Sequence, residues 1–121
     1  MTYESVTKIL SKVAPGVAFT VTRMSFGRRM ELMRRIRELA GRMEFLRAGS
    51  DPKEQMDAGL VQAEIDRTYV SWGLRSVEGI ELDGEPATPE ALAERGPEDL
   101  FREVLQAVKA ETGITEAERK N

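Results

Sequence analysis

Two residue types stand out for the chemistry they could do, the arginines and the methionines, and both are concentrated in the first half of the chain. Eight arginines fall between residues 23 and 47, against only Glu31, Glu38 and Glu44. Arg28, Arg35 and Arg42 recur every seven residues, a spacing that keeps them on one flank of a helix, with Arg29 beside them. A guanidinium is always charged and forks onto carboxylates and phosphates. Three readings are open to such a cluster: a solvated helix surface, a face for an acidic protein, or a nucleic-acid contact. On the first, Glu31–Arg35 and Glu38–Arg42 are i,i+4 pairs of about 0.2–0.5 kcal/mol each. The third is weakened by the overall charge of -3 and by the lack of aromatic residues interleaved with the arginines.

Met24, Met30, Met33, Met43 and Met56 have two readings as well. A flexible thioether fills irregular gaps in a core, and it also adapts to varied partners on a surface. Tyr69 and Trp72 project from nearly the same side of a second helix, as core anchors or as interface anchors. The protein-binding set expected on the surface reading is Arg28, Arg29, Met33, Arg35, Arg42, Met43, Tyr69 and Trp72.

Catalytic patterns are missing. The chain has no His and no Cys, which removes the commonest general base, the thiol nucleophile and most zinc geometries. Asp57, Glu64 and Asp66 share one helix and follow no hydrolase or metal spacing. Asp83, Gly84 and Glu85 fall short of a calcium loop, whose ligands spread over about twelve residues. Gly27 is isolated and belongs to no phosphate-binding loop. No catalytic residue, metal or cofactor is expected, and the chain is read as a binding protein rather than an enzyme.

The elements that position these residues can be read from periodicity. Val6, Ile9 and Leu10 sit in an extended-looking stretch, for which a short helix is a rival. Pro15-Gly16 marks a turn, and Val17, Phe19 and Val21 alternate with Ala18, Thr20 and Thr22. A small β-hairpin over residues 1–22 is predicted. From Ser25, a helix cap, the period lengthens: Phe26, Met30, Met33, Ile36, Ala40, Met43 and Leu46 are assigned to one face of a helix ending near Arg47. Gly49 is expected to stop it in the left-handed region, and Gly41 inside it invites a close helix crossing. Asp51, Pro52 and Glu54 open a second helix with a capping box. Its expected apolar face is Leu60, Val61, Ile65, Thr68, Tyr69 and Trp72, and it ends at Gly73. The short link makes residues 25–73 an antiparallel helical hairpin.

Leu74–Leu82 is irregular, Asp83-Gly84 is a turn, and Thr88-Pro89 caps a short helix. A last helix from Glu98 to Glu111 ends at Gly113, so residues 88–113 supply the C-terminal helices. Thr115 with Glu118 is a further capping box. The fold class expected is α+β, mostly α, as a single domain over residues 1–121.

The charge is divided. Residues 1–50 carry ten Lys/Arg and four Asp/Glu, a net +6, and residues 51–121 carry eight and seventeen, a net -9. Such asymmetry concerns partners and self-association, and it permits head-to-tail assembly of basic half on acidic half. No apolar run approaches the roughly 20 residues that span a bilayer, and Met1–Leu10 lacks the form of a signal peptide.

Two stretches carry a resemblance: Arg23-Met24-Ser25-Phe26-Gly27-Arg28-Arg29 with its Arg-rich continuation, and Trp72-Gly73-Leu74-Arg75-Ser76-Val77-Glu78-Gly79-Ile80 followed by Leu82–Glu90. With the ending Glu118-Arg119-Lys120-Asn121, they resemble the tail assembly chaperones of long-tailed phages and prophages. The resemblance implies a protein that binds the tape measure protein and helps recruit tail tube subunits. It further implies action in the cytoplasm of the bacterial host and absence from the mature virion. In many such phages a longer form arises by ribosomal frameshifting. No catalytic residues carry over, and binding residues are not transferred. The rival expectation is a structural tail completion or connector protein of the virion.

Overall fold

β2 (Ala18–Thr22) is the middle strand of the sheet, between one neighbour close to it in sequence and one more than 50 residues further along the chain. The structure, a computed structural model, describes residues 1–113. β1 (Val6–Leu10) pairs with β2 antiparallel, Ile9 opposite Phe19. On the other side β3 (Leu74–Glu78) pairs with β2, also antiparallel, with a register shift between Thr20 and Val21. The sheet order is β1-β2-β3. A central strand loses water from both faces, and Ala18, Phe19, Val21 and Thr22 are all buried. The expected hairpin is present. The third strand falls in the stretch read from sequence as irregular, because Leu74 and Val77 are too few to display a period.

The turn between β1 and β2 is tied down at both ends. Gly16 adopts a positive φ of 86°, the conformation the Pro-Gly pair announced. Glu103 of α4 (Glu98–Thr112) accepts from Ser11 Oγ at 2.5 Å and from the Lys12 N–H at 2.7 Å. Gly79 lies against the carbonyl of Gly16 with φ at 85°, so a side chain there meets backbone.

Two long helices leave this sheet. α1 (Phe26–Ala48) begins at Ser25, whose side chain accepts from the Arg28 N–H. α2 (Pro52–Gly73) begins at Asp51, which accepts from the Lys53 N–H at 2.9 Å. They pack against each other as the expected antiparallel hairpin. At about 1.5 Å per residue each is roughly 33 Å long, about twice the span of a five-residue strand, so the hairpin outreaches the sheet. Gly49 closes α1 in extended backbone, φ -78° and ψ 153°, rather than in the left-handed region. Its α-carbon lies against the carboxylate of Glu54, and its carbonyl accepts from Gln55 Nε2 at 2.8 Å.

The remaining elements close the core. β4 (Glu81–Leu82) and β5 (Glu85–Pro86) flank Asp83 and Gly84, both at positive φ, a mirror-type turn that suits a two-residue hairpin. α3 (Pro89–Arg95) is capped by Thr88. α4 lays Leu100, Val104, Leu105 and Val108 onto β2 and α2 and stops at Gly113 in the left-handed region. Gly73 lets α2 end against α4: an added β-carbon would stand 2.5 Å from Val108 Cγ1. The buried apolar side chains form one cluster. The capping box of Thr115 and Glu118 lies outside the described residues. Among those described, no helix is long and apolar enough to cross a membrane.

Candidate protein-binding surface

The orientation of α1 decides which of its side chains are surface. Its buried residues are Leu32, Ile36 and Met43, with Leu39 and Leu46 partly covered beside them. These recur at spacings of four and three and mark one stripe facing α2. The series read from sequence is different and does not hold to one face. Phe26 and Leu46 are 20 residues apart, and at about 100° per residue they end about 160° apart around the helix. Spacings of three outnumber those of four in that series, so it drifts across the surface. Phe26, Met30 and Met33 are therefore exposed, at 85%, 41% and 55%, while Leu32, outside the series, is fully buried.

The eight residues expected to bind separate into three places. Met43, Tyr69 and Trp72 are core: each is buried, Met43 between α1 and α2, and Tyr69 and Trp72 on the inward side of α2. They are withdrawn from the surface because Met43 lies on the stripe of α1 that faces α2, and Tyr69 and Trp72 lie on the buried face of α2, the helix that also packs on α3 and α4. Lys109 of α4 covers Tyr69, its Nζ 5.6 Å from the ring centroid and 3.5 Å from Asp66 Oδ1.

Arg28, Arg35 and Arg42 lie together on one flank of α1, as their spacing requires. Arg35 pairs with Glu31 at 2.8 Å and borders a shallow recess with Arg67, Thr68 and Ser71. Arg67 itself pairs with Glu94. Arg42 forms the wall of a cleft between α1 and α2, facing Asp57 and Glu64. Met33 is two residues before Arg35 and so lies about 160° around the helix from it. The arginine flank and the methionine edge are thus two surfaces.

Arg29 joins the methionine edge to the rest of the fold. Its Nη2 donates to the carbonyl of Thr112 at 3.1 Å, where the last carbonyls of α4 lack helical partners. This fixes the start of α1 against the end of α4 and leaves Phe26, Met30 and Met33 outward beside it. Arg34 and Arg37 rim that apolar strip, and among the described residues no carboxylate lies within 4.0 Å of either.

Sequence reasoning missed Phe45 and Leu60, which with Met56, one of the methionines given a surface reading, form a second exposed apolar group at the far end of the hairpin. Leu60, expected on the buried face of α2, is outside it: that face runs through Ala58, Val61, Ile65, Tyr69 and Trp72. The signal was the stripe Leu32, Ile36, Leu39, Met43, Leu46, against which Phe45 is out of phase. Among the described residues no group of three or more acidic side chains is placed to hold a metal ion.

No family model, curated protein or solved structure matches this chain. The functional reading therefore stands on surface chemistry and on the resemblance of its segments.

Proposed function

We propose that this chain is a non-catalytic holding chaperone that docks an amphipathic helix of its client on the outer edge of α1. One observation carries the reading. Phe26, Met30 and Met33 are exposed at positions i, i+4 and i+7, the spacing at which one helix offers anchors to another. Large apolar side chains in a row on a surface mark interaction sites. Two of the three are methionines, which adapt to partners that are not yet folded. Arg34 and Arg37 on the rim favour a client whose own helix flanks its apolar stripe with Asp or Glu.

The resemblance of the Arg23–Arg29 and Trp72–Glu90 segments gives the client a class. A tape measure protein is long and helical, and before its tube is built it exposes apolar stripes. On this reading the chain is a tail assembly chaperone that keeps such a protein soluble, brings tail tube subunits to it, acts in the host cytoplasm and leaves before the particle is complete. Coexpression with the tape measure protein tests it: the client is soluble with the wild-type chain and aggregates with Met30→Glu/Met33→Glu. Mass spectrometry of purified particles separates the reading from a structural tail completion or connector protein. A chaperone is absent from the particles, whereas a stoichiometric presence overturns the proposal.

A further inference from the structure

The far end of the helical hairpin carries a different surface. Between α1 and α2 runs a cleft of about 530 Å³, bordered by Gly41, Arg42, Phe45, Asp57, Leu60 and Glu64. Phe45 is 75% exposed and Leu60 65%, so the largest apolar groups here have no cover. Phe45 lies 19, 15 and 12 residues after Phe26, Met30 and Met33, hence about 60–120° around α1 from the edge proposed for the client and roughly 18–28 Å further along the helix. The two surfaces are separate, and the occupant of the cleft is independent of the client proposed for the edge.

Charge identifies the occupant. α1 contributes the cationic wall, Arg42, and α2 the anionic one, Asp57 and Glu64. Over their full lengths α1 holds seven Arg against three Glu, a net +4, and α2 holds two cations against four Asp/Glu, a net -2. A foreign helix of either sign would satisfy one wall and oppose the other. A second hairpin of the same kind, related by a two-fold axis, satisfies both, because each basic helix then faces an acidic one. Gly41 supports a close approach. Nothing lies within 4 Å of the place where its β-carbon would be, so within one chain the missing side chain makes room for nothing.

We infer that a second copy of this chain occupies the cleft, the two hairpins packing about a two-fold axis as a four-helix arrangement. Phe45 and Leu60 of each copy are covered by the other, and Arg42 of each meets the Asp57 and Glu64 wall of its mate. The contact is isologous and closes at two copies. It differs from the open head-to-tail assembly that the charge split of the sequence permits.

Sedimentation equilibrium of the full chain over a wide concentration range tests this. The mass rises from 13.5 kDa toward twice that value and stops. Phe45→Glu and Leu60→Glu change exposed positions, retain the helical circular dichroism, and weaken the dimer by about tenfold or more. Gly41→Leu adds bulk but no charge, favours helix within the monomer, and blocks the approach. Arg42→Glu weakens association, and adding Asp57→Arg with Glu64→Arg restores it. A mass that stays at that of one chain overturns the inference, as does growth past two copies. A dimer that survives both Phe45→Glu and Leu60→Glu, or a charge swap that fails to restore it, overturns it as well.

Discussion

Leu32 and Met33 are neighbours in the sequence, and the orientation of α1 gives them opposite fates. Leu32 is fully buried against the hairpin interior, whereas Met33 is more than half exposed. Truncating a buried leucine to alanine removes its transfer free energy and leaves a cavity, at a cost of about 2–5 kcal/mol. Leu32 belongs to the single buried cluster, whose other side chains are held by their own helices and strands and can collapse only in part, so about 3 kcal/mol is expected for Leu32→Ala. For a domain of this size that lowers Tm by about 10–15 °C. Met33→Ala removes surface contacts only and replaces one good helix former by another, so its effect is within about 0.5 kcal/mol. Urea melts of both variants, followed by circular dichroism at one protein concentration, give the two values side by side. The order is the test. If Met33→Ala proves as costly as Leu32→Ala, α1 is rotated from the orientation described, and the surface built on Phe26, Met30 and Met33 is lost with it.

Three further outcomes are expected from contacts at single positions. Gly73→Ala drives a methyl group into Val108 at the α2–α4 junction and destabilises the fold by about 1–3 kcal/mol in the same urea assay. Gly41→Ala meets nothing, so in dilute solution it stabilises the chain by about 0.5–1 kcal/mol. Sedimentation shows the same substitution weakening self-association. Lys109→Ala removes the ammonium from between Asp66 and the ring of Tyr69, both ends being only partly exposed, and costs about 1 kcal/mol. A melt at raised salt separates the two parts of that loss, since screening lowers the contribution of Asp66 and leaves packing on the ring.

Much of the fold is legible in the sequence wherever one short signal is enough. Ser25, Asp51-Pro52 and Thr88-Pro89 each start a helix where expected, because a cap acts through its own side chain on the backbone two or three residues away. Gly113 and Asp83-Gly84 are equally local, each needing a positive φ. β3 is not local. Leu74–Glu78 becomes a strand because β2 offers it an edge more than 50 residues away in the chain, and no pattern within five residues records that. Gly49 defeats the left-handed expectation: its backbone is extended, and the absence of a side chain there makes room for the carboxylate of Glu54 from the next helix.

The candidate site was less legible than the fold, and for a geometric reason. α1 is rich in apolar residues on more than one side, so a series can be threaded through them that drifts around the helix while appearing regular. The two-residue spacing of Met33 and Arg35 already turns them opposite ways on a helix, but only the packing of α2 shows which side of α1 is covered. Tyr69, Trp72 and Met43 are large and apolar enough to serve either as core or as anchors, and the choice depends on what covers them. Phe45 and Leu60 became candidates only when nothing did.

Central to the proposed function is the outer edge of α1 as the face that holds a client helix. The most direct measurement is titration calorimetry of the full chain with a helical segment of the tape measure protein, for the wild type, Phe26→Glu/Met33→Glu and Phe45→Glu/Leu60→Glu. The first pair of substitutions is expected to raise Kd by about tenfold or more, and the second pair to leave client affinity unchanged. Equal affinity for the wild type and Phe26→Glu/Met33→Glu would contradict the proposed function.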